Sequence, residues 1–550
     1  MALRRLTLAV LTLIVVAVSI GPALLGSLGE PQIANRLELY QADLLLRASQ
    51  IQPNGDDQLA QVRKALLENS PVESAIAQYE AVRDDAQDNL AQLQNRLEAL
   101  ANQPVPVTTD TGSAGSPATP NPENSADLQA QIVSQQAFLN QVHLRLGILY
   151  ARQDQIAAAQ GQWAELVPSA SSESSASNLA AIEETDGETL GDRPAATAQI
   201  LTGLWSDPPR ILPNAEPQIQ RQLQGWFRNR ALERLYQLQQ RSEAIATLQE
   251  AETALAQQTL VKLALLGVGP ALGSVLGIGL IVFLVAQRLL QGKQALLAGD
   301  GSLAWTVPWP WEITWQVLIV GFFFVGQLVL PVVVSVVRLL LANGAGLGGL
   351  AQSAASGRTT AITTLVVYLL MAAASLTVLF VSIRPYRPLP EGWFRLATRN
   401  NWLLWGLGGY LVAVPLVIGV SILNQQIWQG QGGSNPLLRI VLEEGDPLAL
   451  GIFFFTAAIA APVFEEFLFR GFLLPSLTRY LPVWGAIVLS SLIFALAHLS
   501  LSEVLPLTVL GMVLGFVYTR SRSLLSSMVL HSLWNSATMV GLLILGSGVR

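Results

Sequence analysis

The spacing of apolar and polar positions changes character twice along this 550-residue chain. Residues 1–28 carry Arg4 and Arg5 and then about twenty apolar residues, enough for one membrane crossing. The run exceeds a secretory h-region and no A-x-A site follows, so it reads as an uncleaved anchor rather than a signal peptide. From 36 to 100 the apolar positions fall at helical spacing among Gln, Ala and Glu, as in AIAQYEAVRDDAQDNLAQLQNRLEAL, which predicts long amphipathic helices. Pro-, Ser- and Gly-rich stretches at 102–127 and 168–193 predict flexible linkers. Between them, LGILYARQDQIAAAQGQW places Leu146, Gly147, Tyr150, Ala159 and Trp163 in the manner of a tetratricopeptide (TPR) helix pair. RLYQLQQRSEAIATLQEAE, at 234–252, repeats the back half of that pattern through Ala244, Leu248 and Ala251. Two imperfect copies fall short of a solenoid, and a helical hairpin with ordinary core spacing explains them equally well. His143 is expected on the solvated face of its helix.

After Leu260 the pattern becomes a series of long apolar runs: 261–287, 314–340, 360–383, 402–424, 448–477, 482–500, 503–519 and 526–547. The expected fold is therefore all-α: a polytopic membrane helix bundle of about eight spans plus the N-terminal anchor, with an extramembrane, TPR-like helical domain at 29–260. Residues 261–400 would be accessory spans and 401–550 the functional core. Trp305, Trp309, Trp311 and Trp315 sit around a span boundary and read as interfacial anchors. Gly511 and Gly515 read as a close helix-packing site.

Composition agrees with a membrane protein: 51% of residues are hydrophobic and 13% charged, against about 25% charged in ordinary soluble domains. Charge is divided by region. Residues 29–260 hold 15 basic against 29 acidic residues, net −14, and the remainder 17 against 9, net +8. The acidic domain argues against nucleic-acid binding. With no cysteine, disulfides, thiolate catalysis and Cys-ligated zinc are excluded. If the N-terminus is cytoplasmic, Arg288, Lys293, Arg384, Arg387, Arg395, Arg399, Arg479, Arg520 and Arg522 fall on the cytoplasmic side. The opposite short loops hold Arg358 and Arg439 with Glu443, Glu444 and Asp446. The positive-inside rule then places residues 29–260 on the outer or lumenal face of a bacterial plasma membrane or comparable internal membrane.

Six polar groups lie well inside the last four apolar runs: Glu465, Glu466, Arg470, His498, His531 and Asn535. Each charge at a helix centre raises the insertion free energy by about 2.5–3.5 kcal/mol, so these side chains must face one another or a cavity. Glu466 and Arg470 are four apart, in the order that favours an ion pair. Glu465 is left to meet other helices. His531 and Asn535 share the same spacing on another segment, as do Phe494 and His498 on a third. One carboxylate, two imidazoles and a carboxamide could supply a general base for water and donors for an oxyanion. Taken from straight helices rising about 1.5 Å per residue, however, Glu465, His498 and His531 lie about 18, 24 and 8 Å from the same ends of their segments. Tilt, a kink near Pro462 or different segment ends must close that gap.

EEFLFR, FALAH and HSLWN resemble the EExxxR, FxxxH and HxxxN motifs of the CAAX-protease and bacteriocin-processing family, which is similar to the type II prenyl-protein endopeptidases. The resemblance covers roughly residues 400–550. It implies a glutamate-dependent intramembrane endopeptidase in which Glu465 and His498 activate water, His531 and Asn535 stabilise the oxyanion, and Glu466 with Arg470 holds the geometry. No cofactor is implied. A zinc site on Glu465, His498 and His531 is the competing reading, since zinc would also activate water. The expected partners are the lipid bilayer, a peptide or membrane-protein substrate, and a protein bound by the helical domain. For a bacterial chain, leader removal, peptide maturation or membrane-protein turnover fits better than prenylated CAAX substrates. The alternative from another class is a non-catalytic scaffold or a transporter with an inert polar cluster.

Overall fold

A computed structural model describes residues 2–28, 30, 32–50, 70–101, 122–167, 194–298, 304–343, 357–398 and 401–547. Every regular element among these residues is a helix, and the chain divides into two units: residues 1–33 with 266–546, and residues 34–265 with 547–550. Helix α1 is Ala2–Ser27. The unit from 34 to 265 is built from α2 (Ala34–Ala48), α3 (Pro71–Ala101), α4 (Pro122–Arg152), α5 (Ile156–Ala164), α6 (Pro194–Leu204), α7 (Ala215–Gln222), α8 (Gly225–Leu238) and the first half of α9 (Ser242–Gln291). The membrane unit continues with α10 (Trp311–Val336), α11 (Gly357–Tyr386), α12 (Trp402–Trp428), α13 (Pro436–Glu443), α14 (Pro447–Leu477), α15 (Val483–Leu496), α16 (Leu501–Ser521) and α17 (Leu524–Gly546).

The amphipathic pattern of 36–100 becomes α2 and α3, whose apolar faces close on α4 around Leu39, Tyr79, Val82, Leu146 and Leu149. Trp163 of α5 is fully buried and donates from its indole nitrogen to the Leu144 carbonyl at 3.2 Å. It lies so close over Gly147 that a Cβ there would overlap the indole ring. A charged centre is also buried: Asp43 accepts from the Tyr79 hydroxyl at 2.6 Å and from Arg145 at 3.2 Å. Desolvation nonetheless holds the Asp43 carboxyl above its usual range. His143 departs from expectation. It is buried, with Nδ1 2.9 Å from Gln162 Oε1, because α5 packs over the face on which it sits. The linker expected at 102–127 is shorter, since α4 begins at Pro122; residues 102–121 and 168–193 lie outside the described residues.

Eight helices among the described residues are long and apolar enough to cross a membrane: α1, α9, α10, α11, α12, α14, α16 and α17. This is an integral membrane protein. One of the nine expected spans, 482–500, is instead the 14-residue α15, about 21 Å at the helical rise and short of a hydrocarbon core of about 30 Å. Helix α9 also differs from expectation, running unbroken from polar Ser242 into its apolar half. The aromatic boundary residues divide. Trp311 is exposed, but Trp305 and Trp309 are buried. Trp309 stacks on Phe472 at 5.6 Å, meets Trp393 at 4.4 Å and donates to Ser476 Oγ at 3.1 Å, so it belongs to the core around α14.

The basic connections gather at one end of the bundle. Arg479 donates to the carbonyls of Trp309 (2.6 Å) and Val307 (3.1 Å), Arg520 to that of Ala298 (2.8 Å), and the Leu524 amide to the Arg395 carbonyl (2.9 Å). At the other end the Gly433 amide donates to the Glu30 carbonyl (2.9 Å) and the Ser502 amide to the Gly432 carbonyl (3.1 Å). Short α15 thus still reaches that end through His498 to Ser500. Its partner α16 packs against it through Gly511, where a Cβ would stand 2.8 Å from Ser491 Cβ.

Candidate active site

Helix α14 departs from α geometry on both sides of the EE pair, with π-helical turns at Thr456–Ala460 and Glu466–Leu473 flanking an α turn at Ala461–Glu465. Such turns re-phase side chains and free carbonyls, and they recur at functional sites. Here they bring Glu466 and Arg470 fully inside, at 0% and 1% side-chain exposure, with Arg470 Nη1 2.7 Å from Glu466 Oε1. The guanidinium also donates to the Gly511 carbonyl at 3.3 Å and lies 4.4 Å over the Phe494 ring. A charge that lipid would reject is thus held by a carboxylate, a carbonyl and an aromatic face.

His531 of α17 places Nδ1 3.0 Å from Glu466 Oε1, which turns Nε2 towards Glu465 Oε2 at 3.8 Å. The two carboxylates of the EE pair therefore stand at opposite edges of one imidazole, Glu466 within hydrogen-bond distance and Glu465 beyond it. Glu465 is the more exposed of them, 15% against 0%, and it stands in the wall of a cavity of about 490 Å³. His498, His531 and Asn535 line the same cavity. His498 Nδ1 lies 2.9 Å from the Phe494 carbonyl, so Nε2 is the nitrogen left for the cavity. Asn535 donates from Nδ2 to the Ala457 carbonyl at 2.8 Å, within the first π turn, and its second N–H remains for a ligand.

The depth mismatch read from straight helices closes here. The Phe494 ring is the spacer, with its centroid 4.9 Å from that of His498 and 5.8 Å from that of His531. No hydrogen bond joins Glu465 to His498; they share the cavity. Among the described residues no group of three His, Asp or Glu side chains is placed to hold a metal ion.

Two lining residues escaped the sequence reading. Glu503, at the start of α16, accepts the Asn435 amide at 2.8 Å and lies at the very start of its apolar run. Tyr368 of α11 donates its hydroxyl to Glu465 Oε1 at 3.1 Å. Its signal was a phenol inside the apolar run LVVYLL, outside the segments surveyed for polar groups.

The family model of Rce1-like type II CAAX prenyl endopeptidases matches residues 447–537, the stretch that supplies Glu465, Glu466, Arg470, His498, His531 and Asn535. Residues 447–537 are therefore similar to the Rce1-like type II CAAX prenyl endopeptidases. The chain is similar to a putative membrane peptidase of Bacillus subtilis, YdiL, 24% identical over 139 residues, which are 25% of this chain and 55% of that protein. Another is the membrane-embedded CAAX protease MroQ of Staphylococcus aureus, 25% identical over 189 residues, 32% of this chain and 75% of MroQ. The match thus spans just over half of the Bacillus protein. No solved structure matches the chain. Tyr368 lies outside the family match.

Proposed function

We propose that the cavity hydrolyses peptide bonds of membrane-associated peptides or proteins, with Glu465 and His498 as the groups that activate water. In this reading the water loses a proton to the Glu465 carboxylate or His498 Nε2 as its oxygen bonds to the scissile carbonyl carbon. The carbonyl oxygen becomes an oxyanion, facing the Nε2 edge of His531 and the free N–H of Asn535. Collapse of that intermediate breaks the C–N bond, and the proton taken from water passes to the leaving amine. Glu466 and Arg470 act at one remove, Glu466 fixing which imidazole nitrogen points away from it.

The observation that carries the reading is the shared cavity: four side chains, from α14, from the turn that follows α15 and from α17, all within the family match, line it. Its walls also hold Phe322, Phe469, Leu507 and Trp534, apolar surface suited to a hydrophobic peptide segment.

The test uses purified protein in proteoliposomes with a library of hydrophobic peptides, read by mass spectrometry for new termini. Glu465→Gln should lower cleavage by about 10²–10⁴ without loss of the folded protein, and His531→Ala by about 10²–10³. Cleavage equal to wild type in Glu465→Gln removes Glu465 from the mechanism. Metal content of the same preparation, with activity after chelation, separates direct glutamate catalysis from a zinc enzyme. The former predicts sub-stoichiometric zinc and full activity in chelator.

A further inference from the structure

We infer that Tyr368 is a positioning residue for Glu465, supplied to the site by a helix outside the family match. The inference rests on the proposed role of Glu465 and concerns how that carboxylate is held. Glu465 has two oxygens with different surroundings. Oε2 faces His531 Nε2 at 3.8 Å, and Oε1 accepts from the Tyr368 hydroxyl at 3.1 Å. A glutamate side chain turns about three bonds, and the carboxylate as a base must present one defined lone pair to water. Nothing on α14 itself does this for Glu465, because the neighbouring carboxylate and guanidinium are committed to each other.

Tyr368 is itself well fixed. Its ring meets Phe464 edge to face with centroids 6.0 Å apart, and Phe464 directly precedes Glu465. Helix α11 packs along α14, so ring and carboxylate are carried by two elements in contact. The phenol also lines the cavity beside Thr364 and Met371 of the same helix. With Oε1 tied, Oε2 is the oxygen presented to a water between Glu465 and the imidazoles.

A role in positioning predicts a particular kinetic pattern. Tyr368→Phe keeps the ring and its contact with Phe464 and removes only the hydroxyl. It should lower kcat about tenfold, the order expected for loss of one hydrogen bond to a charged group, with KM and thermal midpoint unchanged. Tyr368→Leu removes the ring as well and should lower both kcat and the midpoint. A second readout needs no substrate. Infrared difference spectra of Tyr368→Phe against wild type should show a shifted glutamate carboxyl band, and that band should vanish when the comparison is repeated in a Glu465→Gln background.

If Glu465→Gln is inactive while Tyr368→Phe retains full kcat, the inference fails and the proposed function stands. If Glu465→Gln is itself active, the proposed function fails first. A raised KM with unchanged kcat in Tyr368→Phe would make Tyr368 a substrate-binding residue instead and would also overturn the inference.

Discussion

Three charges fall within six residues of α14, and only Glu465 reaches the cavity. The other two neutralise each other in the interior of the bundle, both side chains fully buried. Removing one partner of such a pair leaves a buried charge, at about 3–5 kcal/mol. Arg470→Ala should therefore unfold the bundle or lower its thermal midpoint sharply in detergent. Glu465→Gln, at the cavity wall, should leave the midpoint close to wild type. Equal midpoints for Arg470→Ala and wild type would mean that the pair is not buried as described. At this scale the sequence was informative, because i, i+4 spacing announces pairs within one helix: Glu466 with Arg470, and His531 beside Asn535. It was silent on pairs between helices. Nothing in the local pattern joins Tyr368 to Glu465, 97 residues away, or reveals that α5 would cover His143.

Between elements, the tight crossing of α15 and α16 sets where His498 stands. Adding a methyl group at Gly511 would drive it into Ser491, and such overpacking costs about 1–3 kcal/mol. The helical preference for Ala over Gly returns about 1 kcal/mol at most. Gly511→Ala should thus lower the midpoint. Gly451→Ala, where a Cβ meets nothing within 4 Å, should leave it unchanged or raise it. A stabilised Gly511→Ala would show that the crossing is looser than described. Apolar runs announced these helices well, since lipid requires them. They did not announce the π turns of α14, nor the early end of α15. A run of apolar residues reads alike whether it spans the membrane or stops after four turns. The tryptophans at 305 and 309 were misjudged for a related reason: position near a span boundary does not distinguish a ring facing headgroups from one stacked in the core.

For the whole molecule, the basic connections share one end of the bundle, and the loops carrying Glu443, Glu444 and Asp446 belong to the other. We propose that the basic end is cytoplasmic, following the positive-inside rule. The absence of cysteine makes this directly measurable. In intact cells, a membrane-impermeant maleimide should label Gly445→Cys and should reach Gln294→Cys only after permeabilisation. The reverse pattern would invert the orientation.

The central claim is that Glu465 makes this cavity a peptidase. It is tested most directly by comparing, by terminal proteomics, the membranes of cells that differ only in carrying wild type or Glu465→Gln at equal abundance. The account predicts a set of peptide termini present with wild type and missing with Glu465→Gln, their uncleaved precursors accumulating. Identical termini in the two strains, in a wild type shown to cleave peptides in proteoliposomes, would contradict it.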